Sequence, residues 1–189
     1  MEPVSFNDRI FEEFPELRTP RLFLRRHLKS DDLHVFRIHA DKRVRQYSGK
    51  EVFQSMAEAK HWLRGVEESW ESREGVCWAL ESVESKEYLG DISFWRILKQ
   101  HRRAELGYKL SAEQWGKGYM HEAMKVVLDF GFKKMRLHSV EANVTPENKA
   151  SIALLLKNGF VQEGYFKENF YGVQEFLDTA SFSLRDSVA

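Results

Sequence analysis

Gly116-Lys117-Gly118 stands where a strand-like segment gives way to a helical stripe. Two glycines so close together permit backbone angles and close approaches that other residues resist. The amides that open a helix have no internal partners, so they form a ready site for a phosphate, helped by the helix dipole. The GxGxxG and GxxxxGK[ST] spacings are both absent, which excludes a dinucleotide fingerprint and a P-loop. Taken alone, the triplet does not separate an anion site from a simple turn before an amphipathic helix. Side chains able to handle protons or hydrogen bonds flank it in sequence: Glu105 before the loop, and Asn143, Asn148 and Ser151 after it. No convincing Ser-His-acid or Cys-His order offers a covalent nucleophile. Cys77 is the lone cysteine, so no intrachain disulfide and no cysteine-held zinc is expected; its expected role is core packing.

These residues need elements to position them. Residues 1–18 read as an N-terminal extension in which Ile10, Phe11, Phe14 and Leu17 dock as a short apolar turn, interrupted by Pro15. Leu22, Phe23 and Leu24 predict a first strand, and Ser30-Asp31-Asp32 a cap for a short helix to about Ala40. Over 54–72, Met56, Ala59, Trp62 or Leu63, Val66 and Trp70 recur at helical steps, and Ser55 with Glu58 has the capping-box spacing. Three strand-like segments follow, at 76–83, 88–97 and 103–110, with gaps short enough for an antiparallel meander. Tyr119, Met120, Ala123, Met124, Val127 and Phe130 then mark a helix over 117–133. Ser139 to Thr145 alternates as a strand does. A second helix spans 148–157, capped by Asn148 and ended by Gly159, and two final strands cover 160–166 and 175–184. Regular strand–helix alternation occurs only in the middle, so an α/β (α+β) mixed sheet with helices on both faces is expected rather than an all-parallel one.

The chain has 189 residues, 42% of them hydrophobic, with 14 Phe and 5 Trp. That is enough to bury a large core in one domain, expected over residues 19–185. Lys plus Arg and Asp plus Glu are each 29, which gives no sign of a general nucleic-acid binder. The first residues are acidic and lack a signal-peptide run, and no stretch approaches the roughly 20 apolar residues a membrane span needs. A cytoplasmic protein without membrane association is the expectation.

Read in order, several segments resemble the Gcn5-related N-acetyltransferase (GNAT) superfamily, and within it the RimJ/RimL-like branch, named for enzymes that acetylate N-terminal amines of ribosomal proteins. They are Thr19-Pro20-Arg21-Leu22-Phe23-Leu24-Arg25, Tyr88-Leu89-Gly90-Asp91-Ile92, Ala104-Glu105-Leu106-Gly107-Tyr108, and Trp115-Gly116-Lys117-Gly118-Tyr119-Met120 followed by Glu122-Ala123. Leu137 to Val144, Asn148-Lys149-Ala150-Ser151, Asn158-Gly159-Phe160 and Glu163-Gly164 continue the pattern. The resemblance covers roughly residues 19–185 and implies a GNAT-like single domain: a largely antiparallel sheet with a splayed central strand pair. It also implies acetyl-CoA as acyl donor, no metal, and a ribosomal-protein-alanine N-acetyltransferase-like activity.

The resemblance assigns the residues as follows. Trp115, Gly116, Lys117, Gly118, Tyr119 and Met120 form the CoA pyrophosphate loop. Trp115 and Met120 stand where the superfamily often has Gln or Arg and Gly or Ala, but binding through amides does not need those side chains. Backbone groups of Leu110 and Ala112 are further cofactor contacts. Asn143 and Asn148 lie beside the pantetheine arm, where their amides can pair with its amides; the alternatives are a surface strand residue and a helix cap. Ser151 faces the CoA sulfur, or is a local cap. Many members place a Tyr seven residues after the helix-opening Asn as the acid for the departing thiolate. This chain has Leu155 there, so that role moves or is dispensable.

Acetyl transfer to an amine needs a neutral amine, a polarised carbonyl and a stabilised thiolate. Glu105 is the candidate to take the amine proton, directly or through a water, unless it is a solvated carboxylate or an ion pair with Arg103. His138 reads as structural, and His121 as a phosphate neighbour or an exposed residue. Tyr171 is a candidate acceptor wall. Trp62, Trp70 and Trp95 could line a cleft, although most of them are expected in the core. The acceptor implied is a protein or peptide N-terminal amine; a small-molecule amine, amino acid or drug stays open, as does a CoA-binding protein without catalysis. Monomer and homodimer are both compatible with the sequence.

Overall fold

The computed structural model describes residues 5–186; residues 1–4, the start of the expected extension, and 187–189 lie outside the described residues. The elements are β1 (Leu17–Arg18), β2 (Leu22–Arg25), α1 (Asp32–Ala40), α2 (Lys42–Arg45), α3 (Met56–Glu71), β3 (Val76–Ser82), β4 (Tyr88–Leu98), β5 (Arg103–Leu110), α4 (Tyr119–Lys133), β6 (Ser139–Val144), α5 (Lys149–Lys157), β7 (Val161–Tyr171) and β8 (Phe176–Arg185). The strands form one mixed sheet in the order β1-β2-β3-β4-β5-β6-β8-β7.

Side-chain alternation divides the sheet into two faces. Val76, Trp78 and Leu80 of β3, with Ile92 and Phe94 of β4, pack against Met124, Val127 and Phe130 of α4 and Leu155 of α5. Ala79 and Tyr88 face the other way, onto Val35 and Ile38 of α1 and Ala59 of α3. Phe6, Ile10 and Phe11 from the N-terminal segment also join the main core, and Trp78 Nε1 donates to the Pro15 carbonyl at 2.6 Å. The 15–18 segment is thereby tied to β3.

Every neighbouring strand pair is antiparallel except β5 with β6. That pair runs parallel in register only at Arg103↔Ser139, Ala104↔Val140 and Glu105↔Glu141. Beyond Glu105, β5 continues to Leu110 beside β4 while β6 continues beside β8, and a wedge opens between them. Its sides present unpaired strand edges, which exchange backbone hydrogen bonds with whatever enters.

Several local expectations shift. Asp31 does not cap α1 with its side chain; its carboxylate is held by Arg25 at 2.8 Å and accepts from Leu28 N–H at 2.7 Å. Glu58 completes its half of the capping box one residue early, accepting from Gln54 N–H at 3.0 Å while Ser55 Oγ donates to it. The strand expected over 160–166 runs on to Tyr171, through a bulge between Phe166 and Phe170.

Candidate active site

The loop before α4 is shaped by its glycines. Gly116 and Gly118 have φ of 73° and 81°, the left-handed region that costs other residues steric strain. A Cβ on Gly116 would meet nothing within 4 Å, so backbone angle rather than crowding calls for glycine there. No side chain caps α4 at Gly118; the opening amides are left for an outside acceptor. Met120 is buried in the core and Tyr119 lies under the Arg21 guanidinium, 4.5 Å from its ring centre. Both side chains therefore face protein, leaving their backbone amides as the groups to offer.

A latch from the turn between β1 and β2 holds this loop. Glu122, in the first turn of α4, accepts from Thr19 Oγ1 at 2.5 Å, from Arg21 N–H at 3.0 Å and from Arg21 Nε at 2.6 Å. Arg21 Nη1 also donates to the Lys117 carbonyl at 2.9 Å. These bonds hold the Glu122 carboxyl below its usual range against the opposing effect of burial. On the other side, Trp115 Nε1 donates to the Leu110 carbonyl at 3.0 Å and Trp115 N–H to the Ala112 carbonyl at 3.3 Å. The carbonyls of Leu110 and Ala112 thus already support the loop. Lys117 Nζ donates to Gln114 at 2.9 Å.

The loop, the wedge and the α1/α3-facing side of the sheet open into one cavity of about 1840 Å³. Asn143, Asn148, Ser151, Glu105, Leu110, Trp115, Gly116, Gly118, Tyr119 and Met120 line it; Lys117 and Ala112 lie beside it in the chain. Asn148 caps α5, accepting from Ser151 N–H at 3.1 Å, so its cap role holds whatever else its amide contacts. Asn143 is turned to the carboxylates, with Nδ2 donating to Glu141 at 2.8 Å. Leu155 is fully buried in the core. What the sequence reading missed is Tyr108 on β5, whose hydroxyl lies 2.5 Å from Ser151 Oγ. The two are 43 positions apart, and only the wedge topology joins them.

Glu105 sits at the vertex of the wedge, at the last parallel pair. Its partner is Arg96 at 3.1 Å, not Arg103, which pairs with Glu141. Arg96 has a φ of 49° inside the β4 bulge between Trp95 and Leu98; the bulge re-aims this side chain. The Glu105 side chain is only 12% exposed. Burial pushes its carboxyl above the ordinary value, against Asn143 and Arg96 and with help from the Glu141 charge. A shielded carboxyl with a raised pKa accepts a proton more readily than a free one, which suits a general base.

The strand register sets Trp95 beside Glu105, Cys77 beside Ser93 and Gly107, and Asp91 beside Lys109 along the sheet side of the cavity. A Cβ on Gly107 would come within 3.2 Å of Ser93 Oγ, so the glycine keeps the middle of that side low. Cys77 faces this cavity beside His27 rather than the main core, with Sγ 3.5 Å from Nε2. Trp62 and Trp95 line the cavity and Trp70 is buried. Tyr171 is 61% exposed, packed edge-on against Phe176 and off the cavity wall, where Phe166 and Phe170 stand instead. Among the described residues no group of three or more His, Cys, Asp or Glu could hold a metal ion. No helix among them is long and apolar enough to cross a membrane.

The chain is similar to known acetyltransferases in sequence and in fold. The model of the acetyltransferase (GNAT) domain matches residues 21–161. The uncharacterized N-acetyltransferase YoaA of Bacillus subtilis is 33% identical over 171 residues, 90% of this chain and 97% of that protein. In fold, the ribosomal-protein-S5-alanine acetyltransferase of Vibrio fischeri superposes with a TM-score of 0.78 at 23% identity, covering 92% of this chain and 97% of the other. The spermidine N-acetyltransferase of Vibrio cholerae, solved with CoA and spermine, superposes with a TM-score of 0.79 at 22% identity, covering 89% and 98%. With the domain model matching residues 21–161 and a relative 33% identical over nearly its whole length, the chain belongs to the GNAT superfamily of acetyl-CoA-dependent acetyltransferases.

Proposed function

We propose that this enzyme transfers the acetyl group of acetyl-CoA to the N-terminal amine of a protein or peptide, by direct attack of the neutral amine on the thioester. The carrying observation is Glu105: a shielded carboxyl with a raised pKa, at the vertex of the wedge and on the floor of an open cavity. In this reading Glu105 takes the amine proton, directly or through a water, and the amides of residues 116–120 hold the pyrophosphate. The open strand edges of β5 and β6 pair with the pantetheine arm, with Asn148 beside it and Asn143 between the arm and the carboxylates. Lys50, Lys109 and Arg45 line the acceptor half, and none has a salt-bridge partner among the described residues. Like charge there disfavours a polycationic acceptor.

A small-molecule amine is the second reading, and Asp91 is the feature that favours it. This carboxylate is 3% exposed yet faces the cavity, and a buried carboxylate is a natural seat for an ammonium group. The two readings separate in one experiment. The enzyme is incubated with acetyl-CoA and a mixture of peptides with free N-termini, amino acids and polyamines, and acetylated products are identified by mass spectrometry. Acetylated peptide N-termini support the first reading; products confined to small amines overturn it.

A further inference from the structure

Loss of the thiol is the step for which this chain lacks the residue expected from its family resemblance. Leu155 holds the position seven residues after Asn148, and its side chain is fully buried. Ser151 is the sole hydroxyl-bearing residue of α5, and alone it is a weak donor because a serine hydroxyl is barely acidic. It is not alone. Tyr108 approaches it from β5, the opposite side of the wedge, with Oη 2.5 Å from Ser151 Oγ. Tyr108 lies three residues past Glu105, where β5 has already parted from β6. Both residues line the cavity.

We infer that Tyr108 is a positioning residue that donates its hydroxyl hydrogen to Ser151 Oγ, so that the serine hydrogen points to the thioester sulfur and stabilises it as it leaves. This rests on the acetyl transfer proposed above. Tyr108 is well suited to remain a donor: burial pushes its phenol up to about 12, against the lowering effect of Ser151. A hydroxyl that accepts one hydrogen bond donates a stronger one. In the step itself the amine nitrogen forms its bond to the acetyl carbon and the carbon–sulfur bond breaks, with the electron pair leaving on sulfur. The amine proton goes to Glu105 or its water. The thiolate keeps the Ser151 hydrogen bond until solvent protonates it, so neither hydroxyl loses its proton overall.

The test uses the full-length enzyme with Tyr108→Phe, Ser151→Ala, the double variant and Ser151→Thr. Tyr108→Phe should lower kcat about 10-fold, the worth of one hydrogen bond in the transition state, with CoA affinity unchanged. The double variant should be no slower than Ser151→Ala, because Tyr108 acts only through the serine, and Ser151→Thr should retain most of the rate. A second readout needs no acceptor. The thiol of bound CoA, followed by its ultraviolet thiolate absorbance, should titrate below free CoA in the wild type and return towards it in Tyr108→Phe and Ser151→Ala. The inference is overturned if Tyr108→Phe leaves kcat unchanged, if it weakens only CoA binding, or if the two losses multiply. It is equally overturned if the bound thiol shows no shift in the wild type or keeps its shift in both variants. An enzyme that shows the thiol shift but acetylates no amine would refute the acetyl-transfer reading and leave the hydroxyl pair standing.

Discussion

Glu105 illustrates how little of a side chain's chemistry is its identity. A carboxylate on an exposed strand edge would stay ionised throughout the physiological range. This one is shielded and faces the Glu141 charge, and both effects raise its pKa. Glu105→Gln keeps the shape and an oxygen for Arg96 but cannot take a proton. Its kcat is expected to fall roughly 100-fold or more, with CoA affinity unchanged by equilibrium titration. The wild-type rate should climb with pH as the raised carboxyl ionises, and the Gln variant should lose that limb; a limb of full amplitude in the variant would assign it to another group. His39 makes the opposite kind of prediction, about stability. Its ring lies against Phe53 and Trp62, with both nitrogens buried and without hydrogen-bond partners. Burial drives its pKa down to about 2, helped by Lys109, Arg45 and Lys50. Between that value and the ordinary 6.5, the unfolded chain binds a proton that the folded chain refuses, so stability falls as pH drops through this window. His39→Leu should remove about 2 kcal/mol of the stability lost between pH 7.5 and pH 5, read by denaturant melts at the two pH values. A variant with the full wild-type pH dependence would show that His27, lowered to about 4 by burial, or another group carries the effect.

At the scale of elements, the loop before α4 is held from two directions. Glycine angles set its path, and the Thr19–Arg21–Glu122 latch pins it to the turn between β1 and β2. Gly118→Ala puts a Cβ at φ 81°, which costs about 1–2 kcal/mol and lowers Tm by roughly 2–8 °C in a chain of this size. CoA affinity should drop with it, because the shift falls on the amides that open α4. Arg21→Ala separates the two effects. Its pairing is half exposed and so contributes little to overall stability, yet it frees the Lys117 carbonyl and the Glu122 carboxylate. CoA affinity should fall several-fold, with Tm nearly unchanged; a loss of Tm without a loss of affinity would make the latch merely structural. The glycines, Glu122 and the helix period were legible in sequence because each acts within a few residues of itself. Thr19 and Arg21 were visible as a motif, but their purpose was not, since their partner lies about a hundred positions away. Tyr108 was hidden for the same reason. Arg96 was hidden for another: nothing in Trp95-Arg96-Ile97 announces a left-handed residue in a strand, and the bulge that turns it towards Glu105 depends on the register with β5. The short α2 also escaped notice, since a helix of four residues has too few turns to show a period.

Across the whole molecule, the wedge divides the sheet into two arms, β1 to β5 and β6 with β8 and β7. The arms share the main core, but in the sheet they are joined only at the three parallel pairs near Glu105. Farther out, the side-chain bond between Tyr108 and Ser151 ties β5 to α5, the helix that follows β6. The strand edges at residues 106–110 of β5 and 142–144 of β6 that face the wedge pair with no strand among the described residues. With the CoA arm between them, as proposed, CoA binding should stabilise the fold by mass action. At 100 times the dissociation constant the gain is about 2.7 kcal/mol, which raises Tm by roughly 5–11 °C in a chain of this length. Where the gain falls is the sharper test. In hydrogen exchange followed by mass spectrometry, added protection should concentrate in peptides covering 106–110, 116–121 and 142–151. The β1 strand, on the far edge of the sheet, should change least, because a two-residue edge strand exchanges by local fraying that the ligand does not touch. Equal protection over the whole sheet would mean that CoA acts on global unfolding alone. Protection at 116–121 without any at 106–110 would mean that the pyrophosphate is held while the arm stays outside the wedge. That result would remove the geometric basis for placing the thioester beside Glu105 and Ser151, since both assignments require the arm to run between the two strands.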